Sequence, residues 1–337
     1  MQSLTKSCPM KIRGKKGQIC AHYIEAYNEG EAGFCDTEKR FRCIEALKKS
    51  QPALSHSAVM AWTKCKMYFL YYYILGIRVK DEYLSDGIKR GNVWDAFQNG
   101  KDYKAMADKV QLSPKDRIAM SALIDAYNDL EIVKPEGQGQ AKVSYPFGGN
   151  TVVGFIDWLM EDGFEEWKCT NSPDWYLKHE NIFHQVATYF MALPHLEYVD
   201  MKPVQFPQLK TGGQRTKYAN ESPDDFYKRI YEDILARPPF YFVGYDRTTR
   251  TWGKRFWRKE FDLDHVEAMY KWVFQEIRET IDRGSWYRND GACQSPFLCD
   301  YYDIKKTGVV SKEHYYYASR SIVKAGDGVE EVGVSAE

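Results

Sequence analysis

The chain has 337 residues, 44% of them hydrophobic, with 47 Lys and Arg balanced by 47 Asp and Glu. That apolar content excludes a disordered chain, and no apolar run approaches the roughly 20 residues of a membrane-spanning helix. Zero net charge excludes a uniformly basic nucleic-acid binder, so any cationic surface has to be clustered.

In chain order, residues 1–50 form a small segment holding Cys8, Cys20, Cys35 and Cys43, with glycines marking turns between them. Ser55-His56-Ser57 reads as a helix start, because a serine oxygen satisfies exposed backbone amides. That helix is expected to carry Trp62, Cys65, Tyr68, Phe69, Tyr72 and Tyr73. Further helices are expected at about Ile88–Gln98 and Pro114–Asn128. Residues 151–170 read as two strands joined by an Asp-Gly turn. A helix at Asn181–Leu193, a strand near Val199–Phe206 and an amphipathic helix at about Pro223–Leu235 follow. Extended segments are expected near Tyr241–Tyr245 and Lys254–Phe261, then a long helix at about Leu263–Asp282. Cys293 and Cys299 fall in a loop after it, and the Gly- and Glu-rich tail from Lys324 is expected to be disordered. Helices flanking a short mixed sheet make the class α/β or α+β. The expected layout is a Cys-containing segment 1–50, a main domain 51–323 and a tail 324–337.

The chemistry concentrates in the strand pair. Side chains alternate faces along a strand, so Glu166 and Lys168 point the same way, and pairing can bring Asp157 beside them. Two carboxylates and an amine then converge. Carboxylate oxygens suit Mg²⁺ or Mn²⁺, and a nearby lysine can steady an attacking water or a phosphate oxygen. The plain alternative is a solvated face with a surface salt bridge. A second stretch, Arg237 to Glu260, interleaves Trp252, Phe256 and Trp257 with seven cations. It reads equally as a stacking surface for a single strand and as a twisted hairpin with a solvated outer face.

Five motifs in order give the chain a family resemblance. Leu54-Ser55-His56-Ser57 with Trp62-Thr63-Lys64-Cys65-Lys66, then Gly91-Asn92-Val93-Trp94-Asp95, then Gly154-Phe155-Ile156-Asp157, Glu166-Trp167-Lys168 and Gln185-Val186-Ala187-Thr188-Tyr189 follow one another. In this the chain resembles the PD-(D/E)XK nuclease superfamily, in its RecB-like exonuclease branch, over roughly residues 53–304. The resemblance implies a restriction-endonuclease-like core and a metal-dependent DNA exonuclease of a bacterial or phage kind. It implies that Asp157, Glu166 and the Trp167 carbonyl hold Mg²⁺ or Mn²⁺, that Lys168 acts on the reacting phosphate or nucleophile, and that Gln185 and Tyr189 support the site and contact the nucleic acid. Where the family places a metal-binding His, this chain has Asp95. Aspartate is itself a hard oxygen ligand; the other reading of Asp95 is a helix-surface residue. A non-catalytic DNA-end or partner-binding module and a structure-specific endonuclease are the alternatives in function.

Many relatives of that branch carry a 4Fe–4S cluster. Cys65, Cys293 and Cys299 match three of its thiolate positions, while Asp290 stands where the fourth Cys belongs. Cys8, Cys20, Cys35 and Cys43 could hold Zn²⁺, share a metal with the cluster, or be plain thiols, since no Cys-x-x-Cys knuckle is present. Cys169, next to Lys168, is expected to face the core on strand alternation. There is no secretory pattern at the N-terminus and no Gly-x-x-x-x-Gly-Lys-Ser/Thr loop. A cytoplasmic setting follows as an expectation, with DNA ends or single strands as partner, no membrane, and a separate helicase or recombination partner for any unwinding.

Overall fold

Serine side chains start four of the helices. Ser55 accepts the Ala58 amide at 3.2 Å and opens α1 (His56–Lys64). Ser85 accepts the Ile88 amide and opens α3 (Asp86–Gln98). Ser113 and Ser222, each followed by a proline pre-set for the first helical turn, open α5 (Pro114–Asp129) and α8 (Pro223–Ala236). The computed structural model describes residues 53–74, 77–147, 150–210, 221–283 and 299–307, together with 286, 289, 291 and 313–317. The expected N-terminal Cys segment, Asp290, Cys293 and the tail lie outside the described residues.

The remaining elements are β1 (Ala53–Ser55), a short α2 (Lys66–Phe69), β2 (Ile77–Val79), α4 (Tyr103–Lys109), β3 (Gln138–Phe147), β4 (Asn150–Leu159) and β5 (Gly163–Thr170). Then come α6 (Pro173–Tyr176), α7 (His179–Ala192), β6 (Tyr198–Gln205), α9 (Pro238–Tyr241), β7 (Lys254–Trp257), α10 (Leu263–Arg283), α11 (Tyr302–Thr307) and β8 (Tyr315–Tyr317). They form the expected class, a mixed sheet of six strands flanked by helices. The strand order is β1-β4-β5-β6-β7, with β3 on β4.

The chain divides into two compact units, one of residues 1–80, 144–153 and 264–337, the other of 81–143 and 154–263. In the first, β1 runs parallel to the start of β4, from Ala53↔Thr151 to Ser55↔Val153, and β2 pairs antiparallel with β8. Glu276 of α10 accepts hydrogen bonds from Trp62 Nε1 at 2.7 Å and from Lys66 Nζ at 2.6 Å. The helix read from Ser55 onward stops earlier than expected. Cys65 is extended, with φ −164° and ψ 112°, and after α2 the chain continues as a π-helical turn over Leu70–Ile74. The Arg78 guanidinium donates to the Tyr72 carbonyl and lies 3.5 Å from that ring's centroid, so this carbonyl is satisfied from outside the helix.

In the second unit β5 pairs parallel with β6 over its whole length, from Gly163↔Tyr198 to Thr170↔Gln205, and β6 pairs antiparallel with β7. One core joins α3, α5, α8 and the end of β6. It includes Trp94, Leu123, Phe206, Phe226, Ile230 and Phe242, each buried side chain of this size contributing about 1.5–3 kcal/mol. Tyr227 of α8 donates to Asp125 of α5 at 2.6 Å above that core. Cys169 packs against it, as strand alternation predicts. Two extended expectations are corrected. Tyr241–Tyr245 begins as the end of α9 and keeps one bridge, Val204↔Phe242, because Pro238 and Pro239 start a helical turn there. Lys254–Phe261 is strand only to Trp257, and a 3-10 turn over Arg258–Glu260 follows.

Candidate active site

The site lies wholly within the second unit, where β4 and β5 part company. Their ladder holds at Trp158↔Glu165 and Leu159↔Phe164. One residue further, the Asp157 carboxylate replaces the backbone and accepts the Trp167 amide at 2.9 Å. A residue's N–H and C=O point to the same edge of its strand, so the Trp167 carbonyl faces the Asp157 side as well.

The other face of β5 is held by buried polar contacts. Glu165 pairs with Lys202 at 3.3 Å and accepts Trp167 Nε1 at 2.9 Å. Trp167 stacks on Trp158, and Lys134 lies 3.6 Å from the Trp158 ring centroid. Alternation then sends Glu166 and Lys168 the other way.

There, Lys168 Nζ donates to Glu166 Oε1 and stands 3.8 Å from Asp157 Oδ2. Gln185 of α7 donates to the same Glu166 oxygen at 2.5 Å and to the Tyr189 hydroxyl at 3.1 Å. Tyr189 in turn donates to the Phe155 carbonyl at 2.8 Å. The helical spacing of Gln185 and Tyr189 thus produces one continuous chain from α7 to both strands. Gly154 is glycine for steric reasons, since a Cβ there would sit 2.5 Å from Tyr189 Cε1.

Asp95 on α3 belongs to the same electrostatic group. Its Oδ1 accepts from Asn99 at 3.0 Å and from Gln140 at 2.9 Å. Burial and the charge of Asp157 push its pKa up, against the opposing pull of Lys101, Lys168 and Asn99. Asn99 and Gln140 went unread in the sequence. Asn99, one turn beyond Asp95, carried a signal. Gln140 carried none, because its left-handed backbone (φ 51°) is a feature of the folded strand.

The electrostatics of Glu166 are the centre of the site. Its side chain is 2% exposed. Burial, then the charge of Asp157, raise its pKa to about 7, although Lys168 and Gln185 oppose the rise. Burial alone would lower Lys168, but Glu166 and Asp157 outweigh it and hold the ammonium above its ordinary value. While Glu166 Oε1 accepts from two donors, its Oε2 is buried with no hydrogen-bond partner. A buried carboxylate oxygen without a donor costs about 1–3 kcal/mol or more, and a divalent cation is a partner that removes this cost. Asp157, Glu166 and Asp95 are all hard oxygen donors, so their chemistry fits Mg²⁺ or Mn²⁺. Among the described residues no group of three His, Cys, Asp or Glu side chains is already drawn together as a ligand set.

The cationic stretch from Arg237 to Glu260 has a different fate. Arg237 pairs with Asp233, Arg250 with Glu131 and Arg255 with Asp200, while Arg258 donates to the Phe190 carbonyl. Trp252 and Phe256 are buried, and Trp257 is exposed. Most of this stretch is therefore a hairpin tied to its own neighbours. Of the cluster residues, Cys65 is buried and Cys299 half-buried, both in the first unit. Cys299 is close enough to Tyr68 for its charge to raise that phenol's pKa, after the larger effect of burial and the charges of Asp300, Tyr72 and Tyr73.

No family model matches the chain, and no curated protein matches it. Among solved structures it is similar to one from Eubacterium rectale described as "Putative exonuclease", at 12% identity and a TM-score of 0.37, over 64% of this chain and 93% of that one. No helix among the described residues is long and apolar enough to cross a membrane.

Proposed function

We propose that the chain is a divalent-metal-dependent deoxyribonuclease acting on DNA ends, in recombination, repair or replication. The observation that carries this reading is the buried, partnerless Oε2 of Glu166 beside Asp157 and Lys168. Asp157 and Glu166 would hold Mg²⁺ or Mn²⁺, with Asp95 and the Trp167 carbonyl completing the set. Such an ion lowers the pKa of water and offsets negative charge on a phosphate. Lys168 stays an ammonium at neutral pH and so acts as a charge rather than a base, stabilising negative charge that builds on phosphate oxygens. Gln185 fixes the Glu166 carboxylate in one rotamer, and Tyr189 fixes Gln185. The supporting contacts hold their groups before any substrate arrives, which is what electrostatic catalysis needs.

The test is release of nucleotides from end-labelled single and double strands, with Mg²⁺ and with EDTA, beside a circular single strand. Metal-dependent release from the linear strands alone is the expected result. Cleavage of the circle turns the reading to an endonuclease. A second reading, a DNA-end or partner-binding module without turnover, draws on the lack of a ready-made three-ligand group among the described residues. Binding without metal-dependent cleavage would establish it. Cys65, Cys293 and Cys299, with Asp290, are proposed as a structural iron–sulfur site, and Cys8, Cys20, Cys35 and Cys43 as a zinc site. Iron and zinc analysis of anaerobically purified protein, with its visible spectrum, decides both.

A further inference from the structure

Among the described residues, four that are not glycine have left-handed backbone. Gln111 and Glu131 have it just past the ends of α4 and α5, and Arg250 has it in the turn bridged by Asp246 and Thr251. Gln140 has it inside β3, where a residue with a side chain is normally extended. Such backbone is unfavourable for any residue but glycine, and it persists where the surroundings hold it. At Gln140 the side chain donates from Nε2 to Asp95 Oδ1 at 2.9 Å. Asn99 gives Nδ2 to the same oxygen at 3.0 Å and to the Asp95 carbonyl at 2.9 Å. The residue before Gln140 makes room for Asn99, since a Cβ at Gly139 would lie 2.5 Å from Asn99 Oδ1. The glycine at 139 and the left-handed backbone at 140 thus serve one carboxylate.

Two donors on one oxygen fix the direction of a carboxylate. Both donors here are neutral amides, so they orient Asp95 without cancelling its charge. Every hydrogen bond that the Asp95 carboxylate accepts from a described side chain goes to Oδ1, which leaves Oδ2 for another partner. The charges of Asp157 and Lys168 both act on Asp95, so that partner belongs to the same site. Glu166 is held in the same way, with Lys168 and Gln185 on Oε1 and no partner on Oε2. Carboxylates that ligate metals are themselves held by hydrogen bonds, and those outer partners tune the affinity. We propose that Gln140, together with Asn99, is a positioning residue that presents Asp95 Oδ2 to the divalent ion of Asp157 and Glu166. This rests on the metal-dependent reading of the site and deepens it, because it makes metal affinity depend on an amide that touches no substrate.

The test uses the full chain and compares the parent with Gln140→Met, Gln140→Gly, Asp95→Ala and the double variant Asp95→Ala/Gln140→Met. Mg²⁺ is titrated into DNA-free protein by calorimetry, and the metal-free thermal midpoint is recorded beside it. The Mg²⁺ concentration for half-maximal cleavage of an end-labelled strand is the third measurement. Gln140→Met and Gln140→Gly should each weaken Mg²⁺ binding about tenfold or more and raise the half-maximal concentration by the same factor. Glycine adopts left-handed backbone freely, so Gln140→Gly should lose affinity while its metal-free midpoint stays at or above that of Gln140→Met. In the Asp95→Ala background, Gln140→Met should weaken Mg²⁺ binding no further, since the contact is lost only once. Parent-like affinity in both Gln140 variants overturns the proposal, as does a further loss of the same size in the double variant. An affinity that follows the midpoint, lost in Gln140→Met and kept in Gln140→Gly, overturns it too. A parent that neither binds Mg²⁺ nor cleaves removes the nuclease reading and this role together. That failure shows in the parent, whereas failure of the positioning role alone shows only in the variants.

Discussion

The strand corner and the cationic hairpin carry similar residues and come to opposite ends. In the hairpin, Arg237, Arg250 and Arg255 each meet a carboxylate, and Trp252 and Phe256 are absorbed into the core. In the corner, Asp157 and Glu166 share the one Lys168 ammonium, the charge of Asp157 is felt at Asp95, and a buried Glu166 oxygen is left over. Charge that folding neutralises contributes to structure. Charge that folding leaves unmatched, at a cost, is available to a ligand.

The comparison breaks most visibly if the corner proves silent. Glu166→Gln and Lys168→Ala should each reduce metal-dependent DNA cleavage about a hundredfold to a thousandfold or more, measured as single-turnover rates, with circular dichroism unchanged. Parent-like turnover in both would end the assignment. Asp95 sharpens the point. Asp95→Ala should lower activity by about tenfold or more, while Asp95→His should keep it, because imidazole and carboxylate both serve as ligands. Equal rates for Asp95→Ala and the parent would return Asp95 to an ordinary helix residue.

Packing around the corner is tested by Gly154→Ala. The added Cβ would sit 2.5 Å from Tyr189, so the ring must move and its bond to the Phe155 carbonyl must loosen. A loss of about 1–3 kcal/mol in denaturant unfolding is expected.

The pH dependence has a definite sign. The Glu166 pKa is raised on folding from an ordinary 4.5 to about 7. The contribution of this group is therefore full below about 4.5 and is lost as pH rises through about 7. Metal-free protein should show a thermal midpoint falling over that window, and Glu166→Gln should flatten this fall. Mg²⁺ should raise the midpoint more at pH 8 than at pH 6, since binding requires the carboxylate. A Mg²⁺ effect independent of pH would place the ion elsewhere. The smallest effect belongs to the hairpin. Arg255→Ala removes a partly exposed pair with Asp200 and should cost under about 1 kcal/mol, with cleavage unchanged. A large loss of cleavage there would erase the distinction between the two regions.

Caps and periodic stretches were legible because their partners are close in sequence. Ser55, Ser85 and Ser113 act on amides three residues away. Asp157, Glu166 and Lys168 were legible for a related reason, as a short hairpin brings them together almost unaided. The short β1, and β3 with its left-handed Gln140, were not legible, since neither has a local pattern strong enough to mark it. The break at Cys65 was hidden inside an apolar, tyrosine-rich run that reads as continuous helix.

Sequence alone determined which side chains could bind a hard cation, where most long helices begin, and that one strand pair would gather the acids. Tertiary structure decided which charges remained unmatched. Gln140 reaches Asp95 across 45 positions and Arg250 reaches Glu131 across 119, and no local pattern encodes such meetings. Coulomb energy depends on distance and burial together, and both are properties of the folded chain.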